Sequence, residues 1–266
     1  MRKYFYSFKL YFLNSFHYRF NTVVSLIFGN VSMIITIIFW ILIFQSSNES
    51  VLNGFSLSNM ITYFVIGGIL RSFIFSGTGF SYSGMIKGGG LNSVLIKPYS
   101  ISTSLYFGNL SGSITGMFPQ LVFTLILMPF IARFLTWNLS IVNMVFLLIF
   151  LLISTVSSHL LWSIFGYMAF WIEDANAVMW SFAVLLNLLT GMFIPLDFFP
   201  KWSIPVIEVL PFSSWGYIPT KIYLGLFDIN KITFLLIVNI AWIILLFFIN
   251  KFIWSIGIKK YSSIGG

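Results

Sequence analysis

The chain has 266 residues, of which 59% are hydrophobic and only 8% charged, with a net charge of +8. A soluble domain carries roughly 25% charged residues, so the chain has too few charges to cover a water-facing surface, and lipid must be its solvent over most of its length. Cysteine is absent, which excludes a disulfide framework, a thiolate nucleophile and a cysteine metal site. The positive balance does not call for nucleic acid, because Lys and Arg in a helical membrane protein mark its cytoplasmic loops.

The apolar runs are long and continuous rather than alternating, and a helical span needs about 20 such residues. Every backbone polar group must find an internal partner in lipid, so these runs read as helices. Residues 2–21 come first and read as an amphipathic helix. At helical spacing Lys3, Ser7, Asn14, His17 and Asn21 form one stripe, with Phe5, Phe8, Phe12 and Phe16 opposite, as in a helix lying in the membrane interface. A frayed extension of the first span is the other reading. Lys9, Asn14, His17 and Arg19 interrupt the apolar stretch that follows Met1, Arg2 and Lys3, so no cleaved signal is expected.

The first span is expected from about Thr22 to Phe44, followed by a polar loop at 45–50, and the second from about Leu57 to Ser76. Residues 81–100 read as a loop with Lys87, Gly88, Gly89, Gly90, Lys97 and Pro98. The third span starts near Ser102 and ends before Arg133, with Pro119 and Pro129 expected to kink it. The fourth covers about Ile141 to Trp171 and the fifth about Ala175 to Ile194. Pro195, Pro200, Pro205, Pro211 and Pro219 then break a stretch kept apolar by Phe198, Phe199, Trp202, Phe212 and Trp215, a pattern that fits short helices dipping into the membrane edge. The last span runs from about Ile232 to Ile253.

The expected fold is a single all-α integral membrane domain over 1–266. It has six transmembrane helices, an N-terminal interfacial amphipathic helix over 2–21, a cytoplasmic loop over 82–98 and a re-entrant helical segment over 195–219. With the N-terminus inside, Arg2, Lys3, Lys9, Arg19, Lys87, Lys97, Lys251, Lys259 and Lys260 lie on the inner side, and Arg133, Lys201, Lys221 and Lys231 on the outer. That asymmetry puts both termini in the cytoplasm.

None of the six acidic residues falls in an expected span, which leaves a proton-coupled carrier without its usual carboxylate relay. His159, in the fourth span among Ser154, Ser157, Ser158 and Ser163, either touches a substrate or proton or bonds a neighbouring helix. Arg71, inside the second span, either meets a polar substrate group or gating partner or is a structural arginine that snorkels. Gly108, Gly112 and Gly116 repeat at four-residue spacing, which lets helix backbones approach closely. The glycine triplet 88–90 lacks the Lys-Ser or Lys-Thr of a phosphate loop, and no metalloprotease or nucleophile-elbow motif is present. The chain itself is therefore expected to be neither an enzyme nor a cofactor binder.

Taken in order, these features resemble the permease subunits of ABC-type exporters, the type-2 superfamily. They are the interfacial helix, the six spans, the loop Ile86-Lys87-Gly88-Gly89-Gly90-Leu91-Asn92-Ser93-Val94-Leu95-Ile96-Lys97-Pro98, and Gly191-x-x-x-Pro195, Pro200-x-Trp202 and Leu210-Pro211-Phe212 before the last span. The resemblance implies a half-transporter in a bacterial plasma membrane that works with a second permease chain, identical or homologous, and with a separate cytoplasmic ABC ATPase that binds the ATP. It also implies that the 82–98 loop supplies a coupling helix through Lys87, Leu91, Leu95 and Lys97, with Leu91 and Leu95 at i and i+4 on one face. Pro195, Pro200, Trp202 and Pro211 would belong to an extracellular gate. Drug-like compounds, toxic amphiphiles and antimicrobial peptides are the implied cargo. Polysaccharide or glycolipid export and ion- or proton-coupled secondary transport are the alternatives.

Overall fold

The computed structural model describes residues 8, 9, 11–13, 19–47, 49–138 and 140–261, and side chains outside 19–30. Helix α1 (Arg19–Ser47) leads to a small hairpin, β1 (Val51–Leu52) and β2 (Phe55–Ser56). Its turn residues Asn53 and Gly54 have φ of 46° and 85°, the left-handed values a two-residue hairpin turn requires. Ser56 caps α2 (Leu57–Ile74), its hydroxyl accepting the Asn59 N–H at 3.2 Å. After three non-helical residues come α3 (Thr78–Lys87) and α4 (Leu91–Leu95). The long α5 (Ile101–Ile131) stays helical through Pro119 and Pro129. Then follow α6 (Ile141–Tyr167), α7 (Ala175–Leu189), the short α8 (Ile204–Glu208) and α9 (Tyr217–Leu224), and α10 (Ile229–Gly257).

The stretches Leu57–Lys87, Ile101–Phe134, Ile141–Phe170 and Ile229–Lys260 are long and apolar enough to cross a membrane, and Val31–Ser47 and Ala175–Leu189 are shorter apolar helices. The protein is thus an all-α, multi-pass membrane protein. The bundle turns on α6, which packs against α10, α3, α9 and the turn at 211–215. Phe150 and Trp162 of α6 share the main core with Met60, Tyr63, Met179, Trp215, Tyr217 and Ile218.

Two expectations need correction. Residues 81–100 are not one loop carrying a single short helix, because 78–87 are helical as well as the expected 91–95. The glycine and serine content that suggested a loop instead allows contact: a Cβ on Gly166 would lie 2.5 Å from the Gly79 carbonyl oxygen, and Ser83 is buried. The fifth apolar run stops at Leu189 instead of Ile194, because Gly191 takes φ 75° and Pro195 follows. At about 1.5 Å per residue α7 is roughly 22 Å long, short of the ~30 Å hydrocarbon core. The interfacial helix over 2–21 lies mostly outside the described residues. Phe8, Lys9 and 11–13 are helical, Phe8 stacks on Phe12 with centroids 6.1 Å apart, and Arg19 already belongs to α1.

Candidate functional site

Four regions carry the polar chemistry. At the bundle end that holds Lys87 and Lys97, the chain turns through Gly89 at φ 71° into α4. Leu91 is fully buried among Tyr82, Ile86, Leu105 and Tyr167, while Leu95 is 45% exposed and Ile96 85% exposed. The two leucines expected to share one contact face therefore differ in burial. Leu91 is the anchor, and Leu95 and Ile96 form the apolar tip, flanked by the exposed Lys87 and Lys97. Beside α4 a cavity of about 370 Å³ opens between Leu95, Tyr99, Ser102, Phe247, Lys251 and Trp254.

Further into the bundle, the break between α2 and α3 is held by a polar knot. The Thr78 hydroxyl meets Ser76 Oγ at 2.6 Å, accepts from Asn109 Nδ2 at 2.8 Å and pairs with His159 Nδ1 at 2.9 Å. His159 Nε2 pairs with Ser102 Oγ at 3.0 Å, and Ser113 Oγ donates to the Phe75 carbonyl at 3.3 Å. Non-helical backbone at membrane depth persists only where such groups replace the lost helical bonds. Buried His159 thus spends both ring nitrogens on hydroxyls from two other helices, one as donor and one as acceptor when neutral.

One turn before the break, Arg71 lines a cavity of about 110 Å³ with Ser158, Trp162, Trp180, Asn187 and Trp215. His159 does not line this cavity, so the two residues singled out for substrate contact do not share a site.

The fourth region is the proline-broken segment. Short turns at Leu196–Phe198 and Pro211–Trp215 and helices α8 and α9 replace a continuous helix. It is pinned to the bundle: Tyr63 Oη donates to the Gly191 carbonyl at 2.8 Å, Ser154 Oγ to the Ser214 carbonyl at 2.6 Å and Trp215 Nε1 to Ser157 Oγ at 2.9 Å. Lys221 donates to Asp197 Oδ1 at 2.8 Å and to Tyr217 Oη at 3.0 Å, and Lys231 pairs with Glu208 at 2.9 Å. Burial, and then the Asp197 and Glu208 carboxylates, push the Tyr217 hydroxyl above the usual tyrosine range, so it keeps its proton. Pro195 and Pro211 are buried, whereas Pro200 and Trp202 stand out, Trp202 at 79% exposure.

The family model described as ABC-2 family transporter protein matches residues 30–265. The chain belongs to that family. No match is found among curated proteins. Membership makes this chain a membrane permease of an ABC transporter, a transport component whose family implies an ABC ATPase partner.

In the permease, close packing is not confined to the glycine repeat. Among the described residues, nothing lies within 4 Å of a Cβ added at Gly112 or Gly116. Gly108 is tight, with a Cβ there lying 2.9 Å from the Tyr11 ring. Other close approaches fall at Gly79 with Gly166 and at Gly216 against the Thr190 carbonyl. Ile96, Asp197 and Lys221 were also missed as site residues. The Asn53-Gly54 dipeptide was a legible hairpin signal, but nothing in the sequence paired Asp197 with Lys221 across 24 positions.

Proposed function

We propose that this permease forms, with a second identical or homologous chain, the translocation pathway of an ATP-driven exporter powered by a separate cytoplasmic ABC ATPase. The observation that carries this reading is the α3–α4 elbow. Its inner anchor, Leu91, is fully buried, and it presents Leu95 and Ile96 outward between two lysines. Helix α3 is in backbone contact with α6 at Gly79 and Gly166. A push on the apolar tip therefore reaches the hub of the bundle through packed elements that cannot yield locally.

In this reading α1, the α2–α3 pair, α5, α6, α7 with the residues after it, and α10 make six crossings, with both termini in the cytoplasm of a bacterial cell. The segment 195–219 enters the outer leaflet and returns, so that Pro195, Pro200, Trp202 and Pro211 belong to the external mouth. The cargo is a drug-like compound, a toxic amphiphile or an antimicrobial peptide.

The test is the tip itself. A Leu95→Asp/Ile96→Asp double variant should insert normally, lose the co-purifying ATPase and stop transporting. Normal ATPase binding and full transport in that variant would remove the coupling role. Transport that survives deletion of every partner ATPase would replace the exporter reading with a secondary carrier.

A further inference from the structure

The cavity beside the α2 break is bordered by a charge without a partner among the described residues, on a side chain that this chain leaves exposed. Arg71 sits about four turns, or roughly 21 Å, beyond Leu57, inside a membrane-length apolar run. Among the described residues, neither ion pair involves it and no hydrogen bond reaches its guanidinium. A cation at such depth is costly unless it faces water or a counter-charge.

The chain supplies no counter-charge. Asp197 and Glu208 are committed to Lys221 and Lys231. Glu49, Glu173, Asp174 and Asp228 are exposed and lie outside the long apolar helices. A second copy would bring the same acids at the same depths.

A second, independent observation points into the same space. Ser158 lines the cavity, is 0% exposed, and its hydroxyl has no partner among the described residues. A buried hydroxyl left unpaired carries a desolvation cost. An uncommitted guanidinium and an uncommitted hydroxyl therefore border one cavity, with the Asn187 amide beside them. Apart from Thr190, whose hydroxyl is spent on the Asn187 carbonyl at 3.0 Å, the remaining lining is apolar or aromatic and includes Ile74, Leu186, Met192 and the indoles of Trp162, Trp180 and Trp215. Trp180 is 63% exposed, so the cavity opens sideways past it toward the outer face of α7.

We propose that Arg71, Ser158 and Asn187, with the indoles of Trp162, Trp180 and Trp215, form a binding site for an anionic amphiphile. The anionic head takes the guanidinium and the Ser158 hydroxyl, and the apolar body leaves along Trp180. No carboxylate lines the cavity, so a cationic amphiphile finds no partner there. A bare inorganic anion would leave the indoles and Met192 uncovered. A membrane lipid and an exported compound share this chemistry. As a statement about cargo the proposal rests on the permease reading. As a statement about binding it does not.

The test therefore uses the full chain in phosphatidylcholine nanodiscs, with no ATPase, and reads tryptophan quenching. The probes are 11-bromoundecyl sulfate and its neutral counterpart 11-bromoundecanol. The sulfate should give a saturable component that the alcohol lacks. Arg71→Gln should weaken that component at least tenfold, Arg71→Lys should retain most of it, and Trp180→Phe should reduce its amplitude. Equal quenching by sulfate and alcohol in the unaltered protein would overturn the site without any variant. So would a sulfate response unchanged by Arg71→Gln. A parallel titration of brominated phosphatidylglycerol into the discs separates the sources. An Arg71-dependent response to that lipid makes a membrane lipid the occupant, and a response confined to the single-chain sulfate makes it a compound of the exported kind. Loss of binding with ATPase coupling intact would end this proposal alone, and binding without coupling would end the exporter reading alone.

Discussion

The Asp197–Lys221 pair is the sharpest place to test how the proline-broken segment is held. Its side chains are 20% and 10% exposed, and the N–O distance is 2.8 Å. Breaking a buried pair by removing one partner typically costs about 3–5 kcal/mol, while replacing both by apolar groups is close to neutral. The two single changes should be unequal. In Asp197→Asn the ammonium keeps the Tyr217 hydroxyl at 3.0 Å and the rings of Phe227, Tyr217 and Phe55, with centroids at 4.9, 5.0 and 5.7 Å. Those contacts retain part of its stabilisation, so the cost should be about 2 kcal/mol. In Lys221→Met the carboxylate loses its cation while Oδ2 is already buried without a partner, so the cost should be about 4 kcal/mol. The Asp197→Leu/Lys221→Met double variant should return to within about 1 kcal/mol of the parent. Thermal unfolding of the purified protein measures all three, and adding the single Asp197→Leu variant closes the double-mutant cycle with Lys221→Met. A Lys221→Met variant within about 0.5 kcal/mol of the parent, or additive single effects, would show that the pair does not hold the segment.

Three further outcomes follow from the geometry. Trp202→Cys should react with an impermeant thiol reagent from outside intact cells, as should Ser47→Cys, whereas Ser213→Cys should stay silent because that position is fully buried. Labelling of Ser93→Cys from outside, with Trp202→Cys silent, would invert the topology. Gly166→Ala places a methyl 2.5 Å from the Gly79 carbonyl oxygen, against backbone that cannot rotate away, and should destabilise by about 1–3 kcal/mol in the same melting assay. Among the described residues nothing lies within 4 Å of a Cβ at Gly112 or Gly116, so Gly112→Ala and Gly116→Ala should leave the melting temperature unchanged. Leu91→Asp should lower the amount of folded protein, because Leu91 is 0% exposed, whereas Ile96→Asp, at 85% exposure, should not. Equal yields of the two would contradict the anchor-and-tip reading of α4.

Much of this was legible in the sequence because lipid imposes a simple rule. A continuous apolar run must be helical, so composition and run length gave the class, the long helices and the polar connections between them. Proline density likewise located the broken segment, since a chain without those backbone donors cannot continue as a helix. Tertiary structure decided what those rules do not reach. Small and polar residues carry opposite meanings according to their neighbours. Residues 81–87 read as a loop until Gly79, just before them, is seen against Gly166, while the contact of the α5 glycine repeat falls at Gly108, against the Tyr11 ring. The same holds for charge. Arg71 and Lys221 are both cations among apolar residues, yet one has Asp197 at 2.8 Å and the other borders a cavity with an unpartnered serine. Local sequence sets which backbone form a segment can take, but the partner of a polar group comes from a distant helix, and only packing brings the two within hydrogen-bond reach.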